Sequence, residues 1–449
     1  MQGFKDPCKA TLKDKMTSKA RKILFWTFVI IFFLAAPTLV LYSQGYRVNW
    51  PPQPSQKMIV KTGGLFIKAL PKQANLYING DFIKKTDFFF GSTLVENLLP
   101  RTYKVELKKD NYQTWEKNLN IAEGQVTEAK QIILFPQSIT PTIIARNILS
   151  FWISPNGQKI AIMANNNNGW EMELYETAQN VTSRLFSSDN LPKEASIKDL
   201  KWTDDSLSLN FQVAQNGQIN YYSVNTENTP SIPIKTILAE TAPIDALCSF
   251  KSEVDLFYIN QNGFVVKKES LTSQTTQVSG DSLPVGKNST CSLWLYNGYI
   301  FAKMDSDLYE LAPNSKQFQK IFSDIASDII LSPDGAKIAW SSNSEIWVMY
   351  LKDKTDQPQK NAGDQVFIAR MSKKISDLQW FNSDYLIFAS GQEIRTAEID
   401  NRDKINIAAI FTIAAPQNSN PLTIKWDSIN KNLFIFDGSA LFETPLAIE

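Results

Sequence analysis

The 449-residue chain contains no histidine. That excludes Ser-His-Asp triads, zinc or iron sites built on imidazole, and histidine acid–base catalysis together. Cysteine is nearly as scarce. Cys8, Cys248 and Cys291 are too few for a disulfide framework or a four-thiolate metal site. Net charge is absent too: 46 Lys+Arg against 45 Asp+Glu leaves +1, so no global field draws the chain onto nucleic acid. The catalytic signatures are missing as well. There is no Gly-x-Ser-x-Gly elbow. Gly280 to Asn288 imitates a phosphate loop, but it has five residues between its glycines and Asn where Ser or Thr is needed. No cofactor is expected.

What charge there is lies unevenly. Residues 1–22 hold Lys5, Lys9, Lys13, Lys15, Lys19, Arg21 and Lys22 against Asp6 and Asp14, a basic tail of +5. From Ile23 to Tyr42 the chain is uncharged and nearly all apolar, and at about 1.5 Å per residue it spans the roughly 30 Å of a bilayer core. Trp26, Tyr42 and Tyr46 stand where interfacial aromatics are favoured. The expectation is one transmembrane helix over 23–43, with the basic tail cytoplasmic and everything after residue 44 extracytoplasmic. A cleaved signal peptide is the alternative, but its apolar run is ordinarily only about 7–15 residues. Pro51, Pro52 and Pro54 make 44–59 a stiff, extended spacer in expectation.

Residues 60–136 read as short strands. Tyr103, Val105 and Leu107 alternate with Lys104, Glu106 and Lys108, and Leu76 and Ile78 precede an Asn79-Gly80 hairpin signal. Phe88-Phe89-Phe90 invites two readings, a patch that touches lipid or a partner, and core filling. Three consecutive residues cannot share one strand face, and most of the triplet is expected inside. The run Leu70-Pro71-Lys72-Gln73-Ala74, then Leu76-Tyr77-Ile78-Asn79-Gly80, Leu99-Pro100, Tyr103-Lys104-Val105 and Tyr112 resembles the PEGA domain. The resemblance implies a small β-sandwich module of cell-surface proteins with no catalytic residues. Gln73, Arg101 and Asn111 stand where that pattern has glycine; Asn111 is a mild change, while Gln73 and Arg101 imply altered turns.

The remainder, 137–449, repeats. Ser154-Pro-Asn-Gly-Gln-Lys-Ile-Ala161 matches Ser332-Pro-Asp-Gly-Ala-Lys-Ile-Ala339, and Ile153, Trp202, Cys248, Leu331, Trp380 and Trp426 fall at equivalent places. With a copy at Cys291 to Phe301 the count is seven at a period of about 46 residues, which predicts a β-propeller; six and eight blades are the neighbouring counts. These segments resemble TolB-like and WD40-like propeller repeats of bacterial envelope proteins. The fold class is therefore all-β behind a single helix. Trp202, Trp380 and Trp426 recur at the period itself and are expected to be structural. Cys248 and Cys291 lie in adjacent copies, leaving two readings: a disulfide between neighbouring inner strands, or two separately buried thiols.

Paired carboxylates are the one catalytic route left open, since glycoside hydrolysis needs no histidine. The pairs Asp204/Asp205, Asp305/Asp307 and Asp324/Asp328 are candidates, with solvated loop acids as the plain reading. Asp305-Ser-Asp307 lacks the Gly and distal Glu of a calcium loop. Asp334 lacks the spacing of a sialidase turn and reads as a turn former. The expected function is non-catalytic: a membrane-anchored binding or scaffold protein recognising an envelope protein or glycan. A carboxylate-dependent glycosidase and a TolB-like envelope assembly factor are the competing classes. No oligomeric state follows from the sequence.

Overall fold

The computed structural model describes residues 17–449 except 50–57, 167–168, 194, 217, 237–242, 244–245, 253, 414–420, 447 and 449. Most of the basic tail, with Cys8, and the three spacer prolines therefore lie outside the described residues. The chain divides into two compact units, one of residues 1–67, 92–103 and 119–130, the other of 68–91, 104–118 and 131–449.

The first unit begins with α1, Ser18–Ser43, capped where Ala20 N donates to Thr17 Oγ1 at 3.4 Å. By length and composition α1 is a candidate membrane span. Thr27 and Thr38 donate their hydroxyls back to Ile23 O and Leu34 O, so the apolar stretch carries no unpaired hydroxyl at these positions. The helix runs almost directly into β1 (Tyr46–Val48), which pairs antiparallel with β2 (Ile59–Lys61). Gly45, at φ +87°, makes the corner, and its carbonyl accepts from both Thr62 N and Thr62 Oγ1 at 2.8 Å. Arg47 locks the joint: it donates to Tyr42 O and Asn97 Oδ1 at 2.8 Å and stacks 3.5 Å over the Tyr42 ring.

The proline-bearing part of the expected spacer over 44–59 lies outside the described residues; its two described ends pair with each other, and Asn49 N donates to Met58 O at 2.8 Å. Two short three-residue strands carry too little periodicity to announce themselves. The rest of this unit centres on a sheet of order β6-β3-β9, formed by β3 (Gly63–Leu70), β6 (Ser92–Leu98) and β9 (Val126–Ile133). Gly63 is required there, because a Cβ would stand 2.4 Å from Ala122 O.

In the second unit β4 (Asn75–Ile78), β5 (Asp81–Lys85), β7 (Thr102–Lys108) and β8 (Trp115–Asn120) form a sheet of order β5-β4-β7-β8. Asn79 and Gly80, both at positive φ, turn β4 into β5 as the dipeptide predicts. Leu76, Val105 and Leu107 are fully buried. Gln73 holds φ +60° and Asn111 φ +66°, so both positions keep the left-handed conformation that glycine favours. The triplet Phe88-Phe89-Phe90 contradicts the core expectation. It lies in the turn after β5, and its residues are 65%, 75% and 72% exposed. The cause is local: Asp87 Oδ1 accepts from Phe89 N and Phe90 N, bending the backbone into a turn whose side chains point outward.

Seven four-stranded antiparallel sheets follow among the described residues, numbered here as blades 1–7. Their innermost strands are Ile148–Ile153, Ser196–Trp202, Ala246–Lys251, Cys291–Tyr296, Ile330–Leu331, Ile375–Asn382 and Thr423–Asp427. Blade 7 takes its fourth strand from β10 (Thr142–Arg146), which pairs with Ala440–Pro445. The two ends of the propeller segment thus share one sheet, which closes the ring. Blades lie face on face, which is why Lys337–Ser341 and Tyr385–Ser390 are buried at every position.

The repeat motifs set matching turns. In both Ser-Pro-Asx-Gly copies the glycine N–H donates to the serine carbonyl at 2.8 Å, and the lysine N–H to the serine Oγ at 2.9 Å. The degenerate copy Thr203 to Ser208 forms the same pair of bonds. The periodic tryptophans join one blade to the previous one. Trp202 Nε1 donates to Trp152 O, Trp380 Nε1 to Ile330 O and Trp426 Nε1 to Phe381 O, at 2.8–3.1 Å. At the blade 3–blade 4 junction the structure pairs Cys248 with Cys291 as a disulfide, Cα atoms 5.5 Å apart.

One joint was invisible in the sequence. Trp115 and Lys117 of β8 pack into blade 6: Trp115 Nε1 donates to Glu398 Oε2 at 2.8 Å, and Lys117, with its side chain wholly buried, pairs with Glu398 at 2.6 Å. Lys117 also donates to Asp400 O and Lys404 O. Next to it Ile133 N donates to Tyr385 Oη, and Phe135 packs edge-on against Phe381 and Tyr385.

Candidate functional site

The inner strands of blades 5, 6 and 7 wall a cavity of 690 Å³. A second, of 500 Å³, lies against the inner strands of blades 7, 1 and 2, and Lys425 lines both. The backbone positions this polar lining through side chains that act as rungs between blades. Asp377 Oδ2 accepts from Ile424 N and its Oδ1 from Leu378 N, each at 2.9 Å. Gln379 donates to Ile424 O and accepts from Trp426 N, while Ser376 Oγ donates to Leu422 O. Burial pushes the Asp377 carboxyl above its ordinary range, with Lys425 and the two N–H donors opposing. The charged side chains that line the larger cavity from exposed positions are Lys374, Lys425 and Asp328, beside Leu331, Pro333 and Pro421. Two ammonium groups and one carboxylate on a partly apolar wall suit a polar or anionic surface group.

The sequence-proposed acids do not assemble there as pairs. Asp205 sits in a blade 2 turn, accepting from Thr203 Oγ1 and Leu207 N, which hold its pKa below the usual value. Asp305 accepts from Ser289 Oγ and Thr290 N, and Asp307 pairs with Lys320 at 2.7 Å; both border a separate 380 Å³ hollow. Asp324 occupies a turn at φ +60°, and only Asp328 reaches the inner cavity. Asp334 is a turn residue, accepting from Ser332 Oγ and Ala336 N and pairing with Lys337 at 2.6 Å. Among the described residues no group of three or more Cys, Asp or Glu could hold a metal ion.

A second concentration of titratable groups escaped the sequence reading, because its members come from a strand end and separate loops of blades 5 and 6. Burial lowers the Lys354 pKa and raises that of Asp384, while burial, reinforced by nearby acids, raises Tyr350. Asp400 is opposed by burial, yet Arg402 and Lys117 hold it below its usual value. This cluster adjoins the Lys117 joint through Asp400, whose carbonyl accepts from Lys117 and whose carboxylate accepts from Arg402.

Residues 62–133 match the family model of the PEGA domain, so the chain carries that domain next to its N-terminal apolar helix. No curated protein matches the chain. Among solved structures it is similar to YCF48 from Cyanidioschyzon merolae, at 8% identity and a TM-score of 0.41, over 69% of this chain and 98% of that one.

Proposed function

We propose that this PEGA-domain chain is a single-pass membrane protein, cytoplasmic at its N-terminus and extracytoplasmic beyond α1, whose propeller is a non-catalytic recognition module for an envelope protein or glycan. The basic residues before α1 support that orientation. The observation that carries the recognition role is the inner cavity at blades 5–7. It presents Lys374, Lys425 and Asp328 on a wall of fixed geometry, while Asp377, its other carboxylate, is spent on backbone hydrogen bonds. A glycosidase needs two carboxyl groups facing each other across about 5–9.5 Å, both available to substrate. The engagement of Asp377 weighs against that chemistry here.

The test is a binding screen of the solubilised chain against envelope fractions and a glycan panel, with hydrolysis monitored on the same panel. The expected result is saturable binding without turnover, weakened at least tenfold by Lys374→Glu with Lys425→Glu. Turnover of any glycan, or binding indifferent to both substitutions, would overthrow the assignment.

A further inference from the structure

The Phe88–Phe90 turn is exposed yet firmly held. Before it, Thr86 N donates to Ala74 O and Ala74 N returns a bond to Thr86 Oγ1. Inside it, Asp87 Oδ1 takes the N–H groups of Phe89 and Phe90 at 2.9 and 2.7 Å. After it, Gly91 at φ +66° accepts from Ala69 N, and a Cβ there would meet Ala69 O at 2.3 Å. The phenyl rings of Phe88 and Phe89 meet edge-on at 5.5 Å. Three large apolar side chains are therefore presented to the surroundings by a pinned turn, and the edge strand β5 adds exposed Phe82 and Ile83. Exposed apolar surface of the kind that the touching Phe88 and Phe89 rings present marks an interaction site.

The charges around it choose the partner. Lys84 and Lys85 lie on β5 directly before the turn, and the Lys72 side chain lies 3.3 Å from where a Gly91 Cβ would be. Lys109 joins them by donating to Lys72 O at 2.7 Å. The acids on the same stretch of chain, 75–91, are Asp81 and Asp87, and Asp87 is occupied by the turn. Phenyl groups without polar atoms, rimmed by long-stemmed amines, fit the boundary between acyl chains and anionic headgroups. The same chain carries α1, so a bilayer is the apolar phase at the highest effective concentration.

We propose that the Phe88–Phe90 turn is a second membrane contact, its rings entering an anionic lipid interface while the β5 lysines meet headgroup phosphates. The proposal rests on the reading of α1 as a membrane span. The test uses the full chain with Cys8→Ser in lipid nanodiscs, with a nitroxide at Phe89→Cys, Phe33→Cys or Leu271→Cys and collision rates measured for oxygen and for a water-soluble nickel chelate. Leu271 is 93% exposed in blade 3 and serves as the aqueous reference.

With phosphatidylglycerol present, nickel collisions at position 89 should fall at least fivefold below those at 271, and oxygen collisions should rise. Lys84→Gln with Lys85→Gln should undo most of that difference. Water-like behaviour at 89 while position 33 reads hydrocarbon overturns the proposal and leaves the anchor standing. Water-like behaviour at 33 overturns the anchor, and the proposal with it. Exclusion of both reagents at 89 that grows with copies per disc identifies a face for a second chain and overturns the lipid assignment. Equal shielding in purely zwitterionic discs overturns the role given to the lysines.

Discussion

Replacing Lys117 by Met should loosen the seat of β8 on blade 6 more than any surface change. Lys117 is wholly buried and makes an ion pair to Glu398 at 2.6 Å, a longer one to Asp400 Oδ1 at 3.9 Å, and bonds to Asp400 O and Lys404 O at 2.6 and 2.8 Å. Methionine fills most of the volume but leaves Glu398 without its counter-charge and two carbonyls without a donor. Removing one member of a buried pair costs about 3–5 kcal/mol. Glu398 keeps the Trp115 indole and the Asn406 donors, which places the expected cost near the lower figure.

Hydrogen exchange reads this locally, because Asn118 N is tied to Asp403 Oδ2 across the same joint. At tenfold per 1.4 kcal/mol, protection over 115–120 should drop by roughly two to three decades. Adding Glu398→Gln to Lys117→Met should recover part of the loss, since the orphaned charge is then gone. Unchanged protection in the single variant, or strictly additive losses in the double, would refute the reasoning.

Three further expectations follow from the same geometry. Mass mapping of unreduced protein should find Cys248 linked to Cys291, and Cys248→Ser should lower stability by at most about 4 kcal/mol, the loop-entropy figure for a separation of 43 residues; free alkylatable thiols at both sites would contradict it. Glu310 is half-buried, its Oε2 lacks a partner among the described residues, and burial raises its pKa above the ordinary carboxyl value. The folded chain therefore binds that proton more tightly than the unfolded one, and stability rises as pH falls through the raised value toward the ordinary one. Glu310→Gln should accordingly raise the melting temperature at pH 7, by an amount equivalent to about 1 kcal/mol, and lose that advantage near pH 4; a pH-independent difference would refute it. Trp380→Phe removes the indole bond to Ile330 O while keeping an aromatic ring, and should cost about 1–2 kcal/mol by thermal unfolding, with a neutral result contradicting the stitching role.

The parts of the fold that were legible had a local or periodic cause. Asn79-Gly80 and the two Ser-Pro-Asx-Gly turns specify their own backbone, and tryptophans spaced at the repeat length read as structural, which the structure refines by bonding each to the blade before it. The illegible parts depended on distant partners or on one unnoticed cap. The acceptors of Lys117 lie 283 and 287 residues further on, so β8 reads as an ordinary alternating strand. Phe88 to Phe90 looked like core because hydrophobic runs usually are, until Asp87 bends them outward. The inner cavity was equally hidden, since Asp328, Lys374 and Lys425 come from three blades.

In the proposed topology α1 holds a closed ring on the far side of the cell membrane from the basic tail. Labelling of Leu271→Cys in a Cys8→Ser background, in intact cells with a membrane-impermeant maleimide, tests it most directly. Full labelling is expected before permeabilisation; labelling that appears only after the membrane is opened would put the ring on the cytoplasmic side and overturn the topology.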